Sequence, residues 1–189
     1  MILRIPQKPF DLFCIRSNRY VRNDDEDQML VFVDGSCRNN GNPDARAGWA
    51  VCVGPSSVLK GRLEPDTPQK NNRAELQSAI VALEFNWIVR GFSSIVIATD
   101  SLYVAQGYCE WFNGWEESDW KKTNGRPVAN SDLWRVLDSK FRRLLKSQIQ
   151  VLFWKIPRDY NLADKYARQA VVSAPHCRSD LSTQDDDRS

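Results

Sequence analysis

Two short apolar runs, MLVFVDG and SIVIATD, each close on an aspartate, Asp34 and Asp100, and neither alternates with polar residues. A run that is apolar at consecutive positions reads as a strand covered on both faces, and that requirement limits the chain to a sheet with helices packed against it. Between the two runs the positions Leu76, Ala79, Ile80, Leu83, Trp87 and Ile88 recur at three- and four-residue steps, which predicts a helix from Asn72 to about Val89. After the turn-rich NNGNPDA, the stretch RAGWAVCVG reads as a second strand, and a third is placed around Lys60–Leu63. Beyond Asp100 a helix beginning with Ser101 runs to about Phe112, and the polar segment GWEESDWKKTNGRPVAN leads to a helix from Ser131 to about Lys146. Leu133, Val136, Leu137, Phe141 and Leu144 mark the apolar face of that helix. QVLFWKI is then a strand, and Leu162 to Val172 a final helix. Strands in succession followed by helix–strand alternation predict the α/β class. The sheet is mixed and five-stranded, an antiparallel meander joined to parallel strands through crossover helices.

With 189 residues the chain has room for about one domain. Residues 1–27 end in the charge run Asp24-Asp25-Glu26-Asp27 and read as an N-terminal appendage. Residues 28–172 form the core domain, and residues 173–189 are a polar tail whose composition cannot bury a face. The first 27 residues hold five basic and five acidic side chains and the tail two against four, leaving nineteen basic against fifteen acidic in the middle. That excess suits a polyanionic partner, and more so if some of the acids are neutralised by cations. No apolar run approaches the ~20 residues of a membrane span, so no membrane partner is expected. The N-terminus is broken by Pro6 and Pro9 and lacks the continuous apolar stretch of a secretory signal. The five cysteines, Cys14, Cys37, Cys52, Cys109 and Cys177, have no metal-ligand spacing, as suits reduced thiols inside the cell, in cytoplasm or nucleus. The single histidine, His176, rules out a histidine-rich metal site.

Four acids stand at element ends: Asp34 and Asp100 after strands, Glu75 in the first turn of the long helix and Asp164 in the first turn of the last helix. Taken singly each has an ordinary explanation, a turn residue or a charge that complements a helix dipole. Together they can converge at one sheet edge, where ligands of open α/β sheets bind, and carboxylates that close repel unless a cation neutralises them. Hard oxygen donors without His or Cys select Mg²⁺, with Mn²⁺ able to substitute. Two such ions about 3.5–4 Å apart suit phosphodiester hydrolysis.

VDGS around Asp34, NNRAEL around Glu75, ATDSLYV around Asp100 and ADKYA around Asp164, in that order and spacing, resemble the type 1 ribonuclease H family over roughly Met29 to Val172. The resemblance implies a ribonuclease H-like fold and an endonuclease that cleaves the RNA strand of RNA–DNA hybrids with two Mg²⁺ ions, as a monomer. It implies that Asp34, Glu75, Asp100 and Asp164 are the catalytic, metal-binding carboxylates. By the same resemblance Asn40 and Asn71 read the minor groove of the hybrid, where the 2′-OH marks RNA. Asn130 matches a residue that binds a DNA-strand phosphate, with Lys70 where the family carries a threonine. Trp111, Trp115 and Trp120, with Lys121 and Lys122, resemble a basic protrusion whose aromatics stack on the DNA strand, Trp115 being the stacking candidate. Glu116 and Glu117 depart from its usual lysines. A further departure is WKIPRDYNLAD, shorter than the family's loop and without its histidine, so that Arg158 takes that vicinity as an auxiliary group. The alternative reading is a catalytically weak relative that binds nucleic acid, against which stands the cost of gathering four acids beneath a phosphate backbone. A proofreading-type exonuclease ranks last, because Ser36 occupies the second acid position of its Asp-x-Glu signature.

Overall fold

The computed structural model describes residues 2–3, 7–84 and 91–172. Among them are eight strands: β1 (Ile2–Leu3), β2 (Phe13–Arg16), β3 (Arg19–Arg22), β4 (Gln28–Arg38), β5 (Arg46–Gly54), β6 (Ser57–Arg62), β7 (Ser94–Thr99) and β8 (Gln150–Lys155). The helices are α1 (Pro9–Leu12), α2 (Asn71–Glu84), α3 (Leu102–Gln106), α4 (Phe112–Glu117), α5 (Ser131–Lys146) and α6 (Asp164–Val172). The far end of the long helix, with Trp87 and Ile88, and the tail from residue 173, with His176 and Cys177, lie outside the described residues.

All the strands join one mixed sheet in which β4 is the hub. Along one edge β4 pairs in parallel with β7, and β7 with β8. Along the other it pairs antiparallel first with β3, at Met29 and Leu30, and then with β5 from Phe32 to Arg38. The α/β class, the meander and the parallel strands are as expected. The apolar runs are continuous because each strand is covered twice. Met29, Val31, Val33, Ile95, Ile97, Val151 and Phe153 pack on one face with α2 and α5, while Leu30, Phe32, Val96, Ala98, Leu152 and Trp154 pack on the other with α6.

The N-terminal segment, read from sequence as an appendage, departs from that reading, because β2 and β3 form a hairpin hydrogen-bonded into the same sheet. The reason is apolar cover: Phe13 and Tyr20 close the α6 face beside Phe32 and Trp154. Ser17 and Asn18 both take positive φ, 46° and 56°, in a two-residue turn of the hand that hairpins favour. β1 adds a short parallel edge to β8. The acidic run that follows, residues 24–27, is exposed, in keeping with a solvated stretch.

In α5 the buried apolar residues are Trp134, Leu137 and Leu144, whereas Val136, assigned to the apolar face from its spacing, is 41% exposed. The stripe is rotated by Trp134, whose indole lies against Gly107, where a Cβ would come within 2.3 Å of the ring. Gly107 opens a π-helical turn, Gly107–Trp111, between α3 and α4. The wider turn and the missing side chain together make room for the indole.

Candidate active site

Asp34 is the seventh residue of β4, beyond the strand's contact with β7, and Asp100 directly follows β7. The two neighbouring parallel strands thus deliver carboxylates to the same sheet edge. Gly35 lets α2 settle against β4: a Cβ there would lie 2.1 Å from the Glu75 backbone nitrogen. This close approach brings Glu75 to the edge, and because α2 begins at Asn71, one residue earlier than expected, Glu75 is its fifth residue and stands just past the first turn. Asp164 is the first residue of α6 and is buried.

Neutral side chains fix three of the acids or their neighbours. Asn161 donates through Nδ2 to the Val33 carbonyl, at 3.0 Å, and to Asp100 Oδ1, at 2.6 Å, tying the ends of β4 and β7 to the turn before α6. Ser101 Oγ donates to Glu75 Oε2 at 2.6 Å and Asn71 Nδ2 to Glu75 Oε1 at 2.7 Å, so both Glu75 oxygens are held. The same Ser101 hydroxyl caps α3 by accepting from the Val104 amide. Asp164 is held by charge: Arg158 donates to its Oδ1, with Nη2 at 2.6 Å, and Arg168, one turn along α6, donates to its Oδ2. Ser101, Asn161 and Arg168 were not singled out from sequence. Ser101 was legible as a helix start, while Asn161 acts through residues 61 and 128 positions away and left no local signal.

Burial and the like charges of Asp100, Asp164 and Glu75 push Asp34 up to about 8. Glu75 is also raised, first by burial and then by Asp100, against the opposing bonds from Ser101 and Asn71. The set contains four carboxylates and no imidazole or thiolate, chemistry that fits a hard divalent cation, and the repulsion felt at Asp34 is what a cation relieves. Among the described residues no three such side chains stand ready-grouped around one point. Each of Glu75, Asp100 and Asp164 gives at least one oxygen to a protein donor.

The other residues named from sequence surround this edge. Asn40 lies exposed in the turn after β4, and its Oδ1 accepts from the Asn71 amide at 3.4 Å, next to exposed Lys70. Asn130 stands before α5 in the left-handed region, φ 59°, its Oδ1 accepting from Arg73 at 3.3 Å and its Nδ2 donating to the Tyr103 hydroxyl at 3.0 Å. Arg73 is itself buried and paired through both terminal nitrogens to Asp132, an anchor the sequence reading did not identify. Trp115 is half-buried against Trp134, with ring centroids 5.3 Å apart, while Trp111 is 39% exposed. Trp120 is buried beneath the Arg135 guanidinium, 4.5 Å from its ring. No described helix is long and apolar enough to cross a membrane.

The RNase H family model matches residues 26–171. A ribonuclease H of Thiobacillus denitrificans is 36% identical over 157 residues, which cover 78% of this chain and 96% of that protein. One of Pseudomonas paraeruginosa is 39% identical over 160 residues, 80% of this chain and 98% of that one. Among solved structures the fold is similar to a foamy viral protease-reverse transcriptase in complex with double-stranded DNA. That match is 22% identical, covers 76% of this chain and 93% of that one, and has a TM-score of 0.58. It is also similar to LC9-RNase H1, described as a type 1 RNase H with the type 2 active-site motif, at 25% identity over 76% of this chain and 72% of that one, with a TM-score of 0.53.

Proposed function

The chain belongs to the RNase H family and is a ribonuclease H enzyme, and from that premise we propose that it hydrolyses the RNA strand of RNA–DNA hybrids internally, at the sheet edge that carries Asp34, Glu75, Asp100 and Asp164. The observation that carries the site is electrostatic and geometric together: three separate elements bring acids near Asp34, close enough for all three to raise it. Asp34, Glu75, Asp100 and Asp164 would hold Mg²⁺ or Mn²⁺, which when bound activates water and stabilises the leaving oxygen. The chain's own contribution is placement. Asn161 fixes the direction of Asp100, and Ser101 with Asn71 fix that of Glu75. Arg158 and Arg168 balance the charge of Asp164, and Arg158, exposed and always protonated, also offers a cation to an approaching phosphate. Asn40, Lys70, Asn71 and Asn130 flank the edge as groove and phosphate contacts, with Arg73 setting the angle of Asn130.

The test uses end-labelled RNA–DNA hybrid, double-stranded RNA and duplex DNA of one sequence, each with Mg²⁺ and with EDTA. Internal cuts confined to the RNA of the hybrid, and only with metal, are the expected result. Asp34→Asn and Asp100→Asn should each abolish cleavage while hybrid binding is kept or tightened, because repulsion toward phosphate falls. Cleavage that persists in EDTA would remove the metal-dependent reading, and equal cutting of duplex DNA would remove the hybrid.

A further inference from the structure

Asn130 directly precedes α5, the place from which an asparagine ordinarily turns back to cap the first amides of its helix, yet its side chain makes no such bond. It is held instead from two other helices. Arg73 of α2, anchored by both terminal nitrogens to Asp132, donates to Asn130 Oδ1 at 3.3 Å, and Asn130 Nδ2 donates to the Tyr103 hydroxyl of α3 at 3.0 Å. These partners fix which end of the amide points where. A guanidinium can only donate, so it takes the oxygen. The Tyr103 hydroxyl gives its one proton to the Ala129 carbonyl at 3.2 Å and accepts from the Trp134 indole nitrogen at 3.1 Å, so toward Asn130 it can only accept. Trp134 is fully buried and donates only, and its ring lies edge-on to Tyr103 with centroids 5.3 Å apart, so the hydroxyl cannot leave without stranding the indole. Among the described residues Asn130 Nδ2 makes this one bond, which leaves its second hydrogen for a ligand that accepts. Both holders also belong to the elements that build the acidic edge. Arg73 stands two residues before Glu75 in α2, and Tyr103 two residues after Ser101, whose hydroxyl donates to Glu75.

We propose that Tyr103 is a positioning residue for hybrid binding: its hydroxyl holds the Asn130 amide so that the second Nδ2 hydrogen meets one phosphate of the DNA strand, at a spacing from the acidic edge set by α2 and α3. This rests on Asn130 being a phosphate contact, as read above. The probe is a duplex with a central run of about four ribonucleotides, which fixes the register of binding. A series of such duplexes carries a single neutral methylphosphonate at successive DNA-strand linkages, and each is titrated with the full chain in EDTA by fluorescence anisotropy. Asn130→Ala should weaken the unmodified duplex by about tenfold and Tyr103→Phe by about three- to tenfold, through the loss or misdirection of one hydrogen bond to a charged acceptor. In the wild type a neutral linkage at the contacted phosphate should cost about tenfold, whereas both variants should lose less than about twofold there. Tyr103→Phe also unpairs the Trp134 indole, so a lower melt is expected of it and does not bear on the phosphate. Uniform weakening with the sensitivity to that linkage kept would make the hydroxyl merely structural and overturn the proposal. So would wild-type affinity in Tyr103→Phe beside a weakened Asn130→Ala. Wild-type behaviour of Asn130→Ala on every duplex, or no binding by the wild type, would remove the phosphate reading of Asn130 and the proposal with it. If Tyr103→Phe does not fold, the wild type decides through its Asn130 side-chain amide protons in ¹⁵N NMR. One of them should exchange slowly in the free chain and the other should shift on adding the duplex; two protons that exchange alike would overturn the proposal.

Discussion

Asp34 links stability to function through one carboxyl group. Its folded value, about 8, lies above its ordinary 3.8, so between these limits the folded chain binds a proton that the unfolded chain has released. Stability without metal therefore falls as pH rises across that window, by up to about 1.4 kcal/mol per unit, and the cost is complete above pH 8. In EDTA, Asp34→Asn should be more stable than wild type at pH 8, by the order of a few kcal/mol, and so melt at a higher temperature, with the gap closing toward pH 4. Parallel Tm-against-pH curves for the two proteins would show that Asp34 is not the strained group. Asn161 is the complementary case, a neutral side chain whose two bonds hold the Val33 carbonyl and Asp100. Asn161→Ala should cost about 1–3 kcal/mol of stability through the buried groups it leaves unpaired. It should also raise the Mg²⁺ concentration that gives half-maximal cleavage, which a purely structural bond would leave unmoved. Asp34 and Asp100 were legible in the sequence because each terminates an apolar run. Asn161 was not, because what it joins is distant along the chain.

At the scale of elements, the strands and helices that deliver the four acids could be read from periodicity, since burial on both sheet faces writes itself into consecutive apolar residues. The α5 face was misread at Val136 because the orientation of the helix depends on the indole of Trp134 seated under Gly107, a contact between elements that no local period encodes. The β2–β3 hairpin was missed for a related reason: its four-residue strands end in arginines, and its turn is carried by Ser-Asn rather than by glycine. Within the segment from Gly107 to Trp120, Trp115 and Trp111 differ in exposure. Trp115 leans on Trp134, whereas Trp111 presents open ring surface. Trp115→Ala should lower stability by about 2–3 kcal/mol as a core truncation. Trp111→Ala should leave the melt nearly unchanged and weaken hybrid affinity by about 1–3 kcal/mol if its ring stacks on nucleic acid. Denaturant melts and hybrid titrations on both variants check this. The reverse pattern, a loss of affinity in a stable Trp115→Ala, would return the stacking role to Trp115.

Across the whole molecule the sheet is asymmetric: the acids gather at Asp34 of β4 and beyond the end of β7, and the N-terminal hairpin attaches where β4 begins. From Leu30, which pairs with Tyr20, to Asp34 is four residues of extended chain, about 13 Å. The hairpin touches the α6 face, closing it with Phe13 and Tyr20 over Phe32 and Trp154, and the side chains bonded to Glu75, Asp100 and Asp164 come from other elements. Its removal should therefore register as stability rather than chemistry. Phe13, 2% exposed, makes the cleanest probe, because truncating it opens a cavity beside Trp154 without breaking the β2–β3 pairing. Phe13→Ala should cost about 3–5 kcal/mol in denaturant melts. At a temperature well below the shifted Tm, kcat on the hybrid should stay within about twofold of wild type, since a backbone this closely packed transmits little of a local void to an edge four residues on. A fall in kcat of tenfold or more while the chain remains folded would show instead that the hairpin sets the position of β4, and through it the placement of Asp34.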